Sequence, residues 1–255
     1  MMKLTVLGSG SSHPHPLRSS TSFWLDTEKG SILLDCSASA VHRMAQEGLP
    51  WADLDAIWIS HFHLDHIGGL APFLFGMKHA PATQERRKLL RLVGPQRFRD
   101  VIVAFDRAAN YRLFEQPFPV EIVEVSANEA FAPLDGISAK AFKTLHKPES
   151  LAIRLADGER SVVYTADTGF DPKIGEFSKG ADLLVVESSF VANKPVGTHL
   201  ELSEAMELIK IAGPRMALLN HLFPEWDGVN GENLVREYVS PCEVLLAFDG
   251  LTIDV

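Results

Sequence analysis

The sequence predicts an α/β protein in which two packed β-sheets are flanked by helices. Three observations carry that prediction. Short apolar runs recur from one end of the 255 residues to the other, helical stretches lie between them, and several runs end at once in His- or Asp-bearing loops. The length accommodates one sizeable core, so residues 1–255 are expected to form a single domain.

The strand candidates, in order, are "KLTVLG", "SFWLD", "SILLDC", "DAIWIS", "KLLRLVG", "VEIVEV", "ISAKAFKTL", "SLAIRLADGERSVVYTA", "DLLVVESS", "MALLNH" and "VLLAFDGLTIDV". They are short and rich in β-branched residues, and polar or turn residues bound them. The Asp157-Gly158 and Asp249-Gly250 pairs are expected to form tight hairpin turns, which makes part of the sheet antiparallel. Helices are expected over Ser39 to Glu47, stopped by Gly48, and over Pro95 to about Asp106. A third runs from Ser203, as N-cap, to Ala212, ended by Gly213-Pro214. Two segments echo each other: "AIWISHFHLDH" and "VVYTADTG" each run a buried strand into metal-friendly side chains, which would place both loops on one rim.

Composition excludes several classes. Hydrophobic content of 46% and charged content of 22% are those of a globular protein. No apolar run is long enough to cross a bilayer, and the brief apolar start "MMKLTVLGSGSS" does not resemble a signal peptide. A formal charge of −9 argues against a protein that coats nucleic acid. Cys36 and Cys242 lack the paired spacing of a zinc site and read as core thiols in a reducing cytoplasm. The stretch Lys78 to Arg99, with Arg86, Arg87, Lys88, Arg91 and Arg97, reads first as a solvated face and second as a phosphate or partner contact.

The chemistry is concentrated in "ISHFHLDHIGG", Ile59 to Gly69. His61, His63, Asp65 and His66 follow a buried strand, and imidazole and carboxylate are the ligands that suit a borderline divalent ion such as zinc. Four such groups so close in sequence crowd a single tetrahedral ion, whereas two adjacent ions can share them.

This motif resembles the hallmark of the metallo-β-lactamase fold superfamily. The resemblance implies an αββα sandwich of two mixed sheets. It also implies further ligands at His146 in "TLHKPESLAIRL", Asp167 in "YTADTG" and His221 in "LLNHLF". By analogy one ion takes His61, His63 and His146, the other takes Asp65, His66 and His221, and Asp167 bridges them. Zinc is the expected metal, with Mn2+ or Fe2+ as alternatives.

Within the superfamily, "LGSGSSHPHPLRSSTSFWL", "HKPESLAIRL", "VVESSF" and "HLELSEAMELIK" are most similar to the ribonuclease Z branch. That similarity implies a hydroxide held between the ions as nucleophile, His199 as general acid and Glu187 as its orienting partner, and a homodimer. Loss of Asp65 should abolish turnover. The long basic arm of the transfer-RNA-maturing enzymes, which many members carry between the third His and the bridging Asp, has no room here. Only the 20 residues Lys147 to Ala166 lie between His146 and Asp167. The expected function is therefore a phosphodiesterase acting on a small or flexible anionic ester, with a nucleotide or short RNA as candidates. Hydrolysis of a carboxylic ester, thioester or lactone is the alternative, and a non-catalytic metal carrier stands behind both. His13, His15 and Arg18 are weaker site candidates, His42 and His79 read as bland, and Trp51, Trp58 and Phe73 to Phe75 read as core.

Overall fold

The computed structural model describes residues 1–255. The first half supplies β1 (Met2–Gly8), β2 (Ser22–Thr27), β3 (Gly30–Leu34), α1 (Ala40–Gln46), β4 (Ala56–Trp58), α2 (Leu64–Ile67), α3 (Leu70–His79), β5 (Leu90–Pro95), α4 (Phe98–Ala108) and β6 (Val120–Val125). The second half supplies β7 (Ala130–Leu134), β8 (Ile137–Lys143), β9 (Leu151–Ala156), β10 (Ser161–Tyr164), α5 (Pro172–Phe177), β11 (Leu183–Glu187), α6 (Leu202–Ala212), β12 (Met216–Asn220), α7 (Gly231–Arg236), β13 (Glu243–Leu246) and β14 (Thr252–Asp254). They form two seven-stranded mixed sheets, ordered β14-β1-β2-β3-β4-β5-β6 and β13-β12-β11-β10-β9-β8-β7. In each, antiparallel strands lead into a parallel run: β3, β4, β5 and β6 in one, β10 to β13 in the other.

The sheets face each other across an apolar layer that includes Leu4, Phe23, Leu25, Ile32, Leu34, Trp58, Ile153, Leu155, Val162, Val185 and Leu218, all buried. The opposite faces are apolar as well. Leu33, Ile57 and Leu92 pack under α1, α3 and α4 through Met44, Phe73, Leu74 and Phe98, while Val163, Leu184 and Leu219 pack under α5 and α6 through Ile174, Met206 and Ile209. Strands buried on both faces explain why their sequences are continuous apolar runs rather than alternating ones. This is the αββα arrangement expected, with the parallel strands delivering their C-terminal ends to one rim.

The structure corrects several local expectations. The Asp157-Gly158 hairpin is present between β9 and β10. Asp249-Gly250 is no hairpin, because β13 belongs to one sheet and β14 to the other, so the chain crosses the sandwich there. The Asp249 carboxylate anchors that crossing by accepting from Ser9 N and Oγ and from Ser19 N at 2.8–2.9 Å. The second helix begins at Phe98 rather than Pro95, since Pro95 still pairs with Val125 in the sheet and Arg97 takes a left-handed turn. The N-cap of α6 is Glu201, which forms a capping box with Glu204, and Ser203 lies inside the helix. Helices α2, α3, α5 and α7 were not anticipated; the first three sit between strand ends and apolar sheet faces. Among the aromatics, Trp58 and Phe73 are core, Trp51 is half-buried, and Phe75 is exposed against His79 and Tyr111. Both cysteines are free thiols, Cys36 buried and Cys242 half-buried.

Candidate metal centre

The loops that follow β4, β8, β10, β11 and β12 meet at the rim shared by the two sheets. Three non-glycine residues there turn through the left-handed region: Asp35 at φ 56°, Ala166 at φ 52° and His221 at φ 59°. Such turns are sparsely populated and persist where surrounding contacts over-determine them. Close backbone approach does the same work at Gly69, where an added Cβ would lie 2.0 Å from Ser37 O, and at Gly169, 2.1 Å from Gly197 O.

Asp167 lies at the centre and faces both ways. Its Oδ2 is 3.7 Å from His61 Nε2 and 3.6 Å from His146 Nε2, and His146 Nε2 is 3.1 Å from His63 Nδ1. Its Oδ1 is 3.2 Å from His66 Nε2 and 3.4 Å from His221 Nε2, and both imidazoles approach Asp65 Oδ2, at 3.6 and 3.4 Å. The potential ligand atoms of His61, His63, His146 and Asp167 all lie within 4.8 Å of one another, as do those of Asp65, His66 and His221.

A metal fits these residues. His61 Nε2, His66 Nε2 and Asp167 Oδ1 are buried yet make no hydrogen bond, an arrangement that costs about 1–3 kcal/mol per atom unless something else occupies the space they share. Four of the five imidazoles have a partner on the far nitrogen. His66 Nδ1–H donates to Asp35 Oδ2 at 2.7 Å, His61 Nδ1–H to Ser60 Oγ at 3.0 Å, His146 Nδ1–H to Thr198 O at 3.0 Å and His221 Nδ1–H to Ser189 Oγ at 3.0 Å. Each bond leaves a bare Nε2 turned inward, which is how an outer shell prepares imidazoles for a cation. Asp35 is the hub beneath, fully buried. Its Oδ1 accepts from Ser60 N at 2.7 Å, and its Oδ2 accepts from Ser60 Oγ at 2.8 Å and from Tyr164 OH at 2.7 Å. Because Asp35 follows β3 and Tyr164 ends β10, this carboxylate bolts one sheet to the other under the cluster.

Protonation follows from the same geometry. Burial, reinforced by the neighbouring His66, holds His61 well below the usual imidazole range, and burial also lowers His63 and His146. Burial opposes ionisation of Asp167, but His221, His66 and His61 outweigh it and hold this carboxyl well below the usual carboxylate range. For His66, burial works against charge, yet the carboxylates of Asp167 and Asp35 on either side push its pKa well up. Neutral imidazoles and ionised carboxylates are the states that coordinate a cation, so His66 must give up a proton to bind one.

His199 stands beside this cluster, near Asp167 and His221. Its Nδ1–H donates to Glu187 Oε1 at 3.0 Å, and Glu187 is buried at the end of β11, where it also accepts from Thr168 N at 2.6 Å and Leu200 N at 3.1 Å. Burial disfavours the charged imidazole, but the hydrogen bond and charge of Glu187 prevail, and the pKa of His199 rises to about 9.

The sequence pattern that defines the family described as anti-Pycsar protein Apyc1 matches residues 2–241. The chain belongs to that family. It is 28% identical over 229 residues to the probable metallo-hydrolase YhfI of Bacillus subtilis (strain 168), covering 87% of each chain. The crystal structure of YhfI, described as a metallo-β-lactamase fold protein, superimposes with a TM-score of 0.80 at 25% identity, covering 99% of this chain and 98% of that one. Identity is 27% over 245 residues to a ribonuclease Z of Mycobacterium sp. (strain KMS), covering 88% of this chain and 85% of the relative. A crystal structure described as a new diphosphatase from the PhnP family shares the fold, with a TM-score of 0.77 at 22% identity over 100% of this chain and 98% of that one. The Apyc1-family chain thus has the metallo-β-lactamase fold and metal-dependent hydrolases among its relatives, in a short form: β9 and β10 occupy the interval between His146 and Asp167.

All nine site residues expected from the sequence are therefore brought together. Sequence reasoning missed the layer beneath them: Asp35, Ser60, Tyr164, Ser189 and the carbonyl of Thr198. The signal available for Asp35 was its place at the end of "SILLD", where a charged residue closes a buried strand. The weaker candidates stand apart from the ligand cluster. His15 and Arg18 both pair with Asp227, at 2.6 and 2.5 Å, while His13 packs on Phe223 with ring centroids 4.7 Å apart. His42 and His79 lie on exposed helix surface. The basic stretch is largely occupied with its own surroundings. Arg86 is buried and donates to the carbonyls of Ala52, Leu54, Lys88 and Leu89, Lys88 pairs with Asp55, and Arg91 pairs with Glu121.

Proposed function

We propose that this chain is a phosphodiesterase that works with two divalent cations, zinc first among them, on a small or flexible anionic ester such as a nucleotide or short RNA. In this reading His61, His63, His146 and Asp167 Oδ2 hold one cation, and Asp65, His66, His221 and Asp167 Oδ1 hold the other. His199 is the general acid and Glu187 positions it. Bound there, such cations lower the pKa of water toward neutrality and polarise a phosphoryl oxygen.

The chain's own part is orientation and proton supply. Asp167 gives one oxygen to each group of imidazoles and so sets their separation. Glu187 fixes the Nδ1–H of His199, so the proton to be delivered resides on Nε2, on the side of the cluster. A departing alkoxide requires that proton, because it is a far stronger base than a thiolate or an aryloxide. The observation that carries the reading is this backed imidazole beside Asp167 and His221, since an acid so placed is of use only when the leaving group is basic. The names of relatives, a ribonuclease Z and a diphosphatase, support phosphoester chemistry. The homodimer and the cytoplasmic setting belong to the same proposal; two free thiols support a reducing compartment, and no helix is long and apolar enough to cross a membrane.

The test is to measure metal content and turnover on one preparation, against alkyl and aryl phosphodiesters, a carboxylic ester and a thioester. Two equivalents of metal with preference for phosphodiesters, and loss of turnover in Asp65→Ala, is the expected result. Turnover of the thioester alone, or an Asp65→Ala variant that still cleaves a chromogenic phosphodiester, refutes it.

A further inference from the structure

Ser189 lies two residues beyond Glu187, which ends its strand; it is fully buried, and its hydroxyl touches three groups. It donates to Glu187 Oε2 at 2.5 Å, accepts from His221 Nδ1–H at 3.0 Å, and stands 3.2 Å from His199 Nδ1, whose proton it shares with Glu187 Oε1. A hydroxyl has one proton and two lone pairs, so these three contacts saturate it. Its direction is set by Glu187, which is acceptor-only when ionised. Both imidazoles must then carry their protons on Nδ1 and present Nε2 to the cluster. The rings stack, with centroids 5.4 Å apart and planes inclined by 13°, so a tilt of one meets the other.

We infer that Ser189 is a positioning residue that ties His221 and His199 to the single carboxylate of Glu187, so that cation binding at His221 and delivery of the acid by His199 depend on one hydroxyl. This rests on the roles proposed above for the two histidines. Without the hydroxyl, the Nδ1–H of His221 loses its only hydrogen-bond partner in a site that is 2% exposed, and the tautomer that frees Nε2 is no longer enforced. His199 keeps Glu187 Oε1 but loses the second contact that fixes its ring plane. No other side chain reaches both imidazoles on their Nδ1 side.

The experiment compares Ser189→Ala and Ser189→Thr with the wild type. Zn2+ affinity is measured by competition with a chromogenic chelator, and kcat and KM are measured for phosphodiesters of graded leaving-group basicity. Ser189→Ala should weaken one of the two zinc positions by about 10–100-fold and leave the other unchanged, with kcat falling more steeply as the leaving group becomes more basic and KM little altered. Ser189→Thr, which retains the hydroxyl, should restore both. Unchanged zinc affinity in Ser189→Ala, or equal losses in the alanine and threonine variants, overturns the inference. The affinity measurement needs no turnover. A wild type that binds zinc but cleaves no phosphodiester would end the proposed reaction, and zinc binding by the two variants would still decide the role of Ser189.

Discussion

Replacing Asp35 by Asn isolates what the buried hub contributes. Asn is nearly isosteric and tolerates the left-handed φ of 56°, so the backbone turn survives. If its carbonyl takes the place of Oδ1 and serves Ser60 N, an NH2 group takes the place of Oδ2. It then faces the Ser60 hydroxyl, the Tyr164 hydroxyl and His66 Nδ1–H, at 2.7–2.8 Å in the wild type. The hydroxyls can rotate to accept. The imidazole can accept only by moving its proton to Nε2, the atom that faces Asp65 and Asp167. One or two buried donors are left unmatched at about 1–3 kcal/mol each, which gives a loss of roughly 2–4 kcal/mol. For a domain of this size that corresponds to a Tm lower by about 5–15 °C. Cation affinity at the position served by His66 should fall by about 10–100-fold. Denaturant unfolding of chelator-treated protein and zinc competition measure the two losses separately. An Asp35→Asn variant as stable as the wild type with unchanged zinc affinity would show that the hub is not what orients His66.

Three further outcomes follow from the same geometry. His199→Ala should lower kcat by about 10²–10⁴-fold for an alkyl phosphodiester and far less for a nitrophenyl one, which leaving-group dependence in steady-state kinetics will reveal. Arg86→Ala removes a buried guanidinium from four carbonyls and should cost about 3–5 kcal/mol in denaturant unfolding. Its kcat in the metal-loaded protein should be unchanged, and a specific loss of turnover would instead point to a substrate contact. In the chelated protein, His66 and His199 both have raised pKa values, so the stability they contribute is present below about pH 6.5 and is lost as pH rises toward 9 and beyond. Unfolding midpoints measured across that window should fall in the chelated protein, and calorimetry at neutral pH in buffers of differing ionisation enthalpy should register proton release from His66 when zinc binds.

The sequence made the proposed ligands legible because they are chemically loud: three imidazoles and a carboxylate within Ile59 to Gly69, then single His or Asp residues at the ends of apolar runs. Their order along the chain was enough to group them, since strands that are continuous apolar runs are buried on both faces and must deliver their ends to a common rim. What the sequence hid was tertiary. Ser60, Tyr164 and Ser189 are residue types that close strands everywhere. Their roles depend on which hydroxyl faces which Nδ1 across two sheets, and no spacing encodes that. Asp249-Gly250 misled for a related reason: turn chemistry reports a local reversal, and the pairing partners that would make it a hairpin lie in different sheets.

The division has a physical basis. Ligand identity is fixed by the chemistry of the cation and so must appear in the chain as particular residue types. The outer layer has only to hold each imidazole in one tautomer, and three different means do so here: a carboxylate at His66, hydroxyls at His61 and His221, and a backbone carbonyl at His146. Because any acceptor in the right place suffices, the layer proposed to tune metal affinity and acid geometry is the least recoverable from sequence. It is also the layer whose substitution separates orientation from ligation, since Asp35→Asn and Ser189→Ala leave every proposed ligand in place.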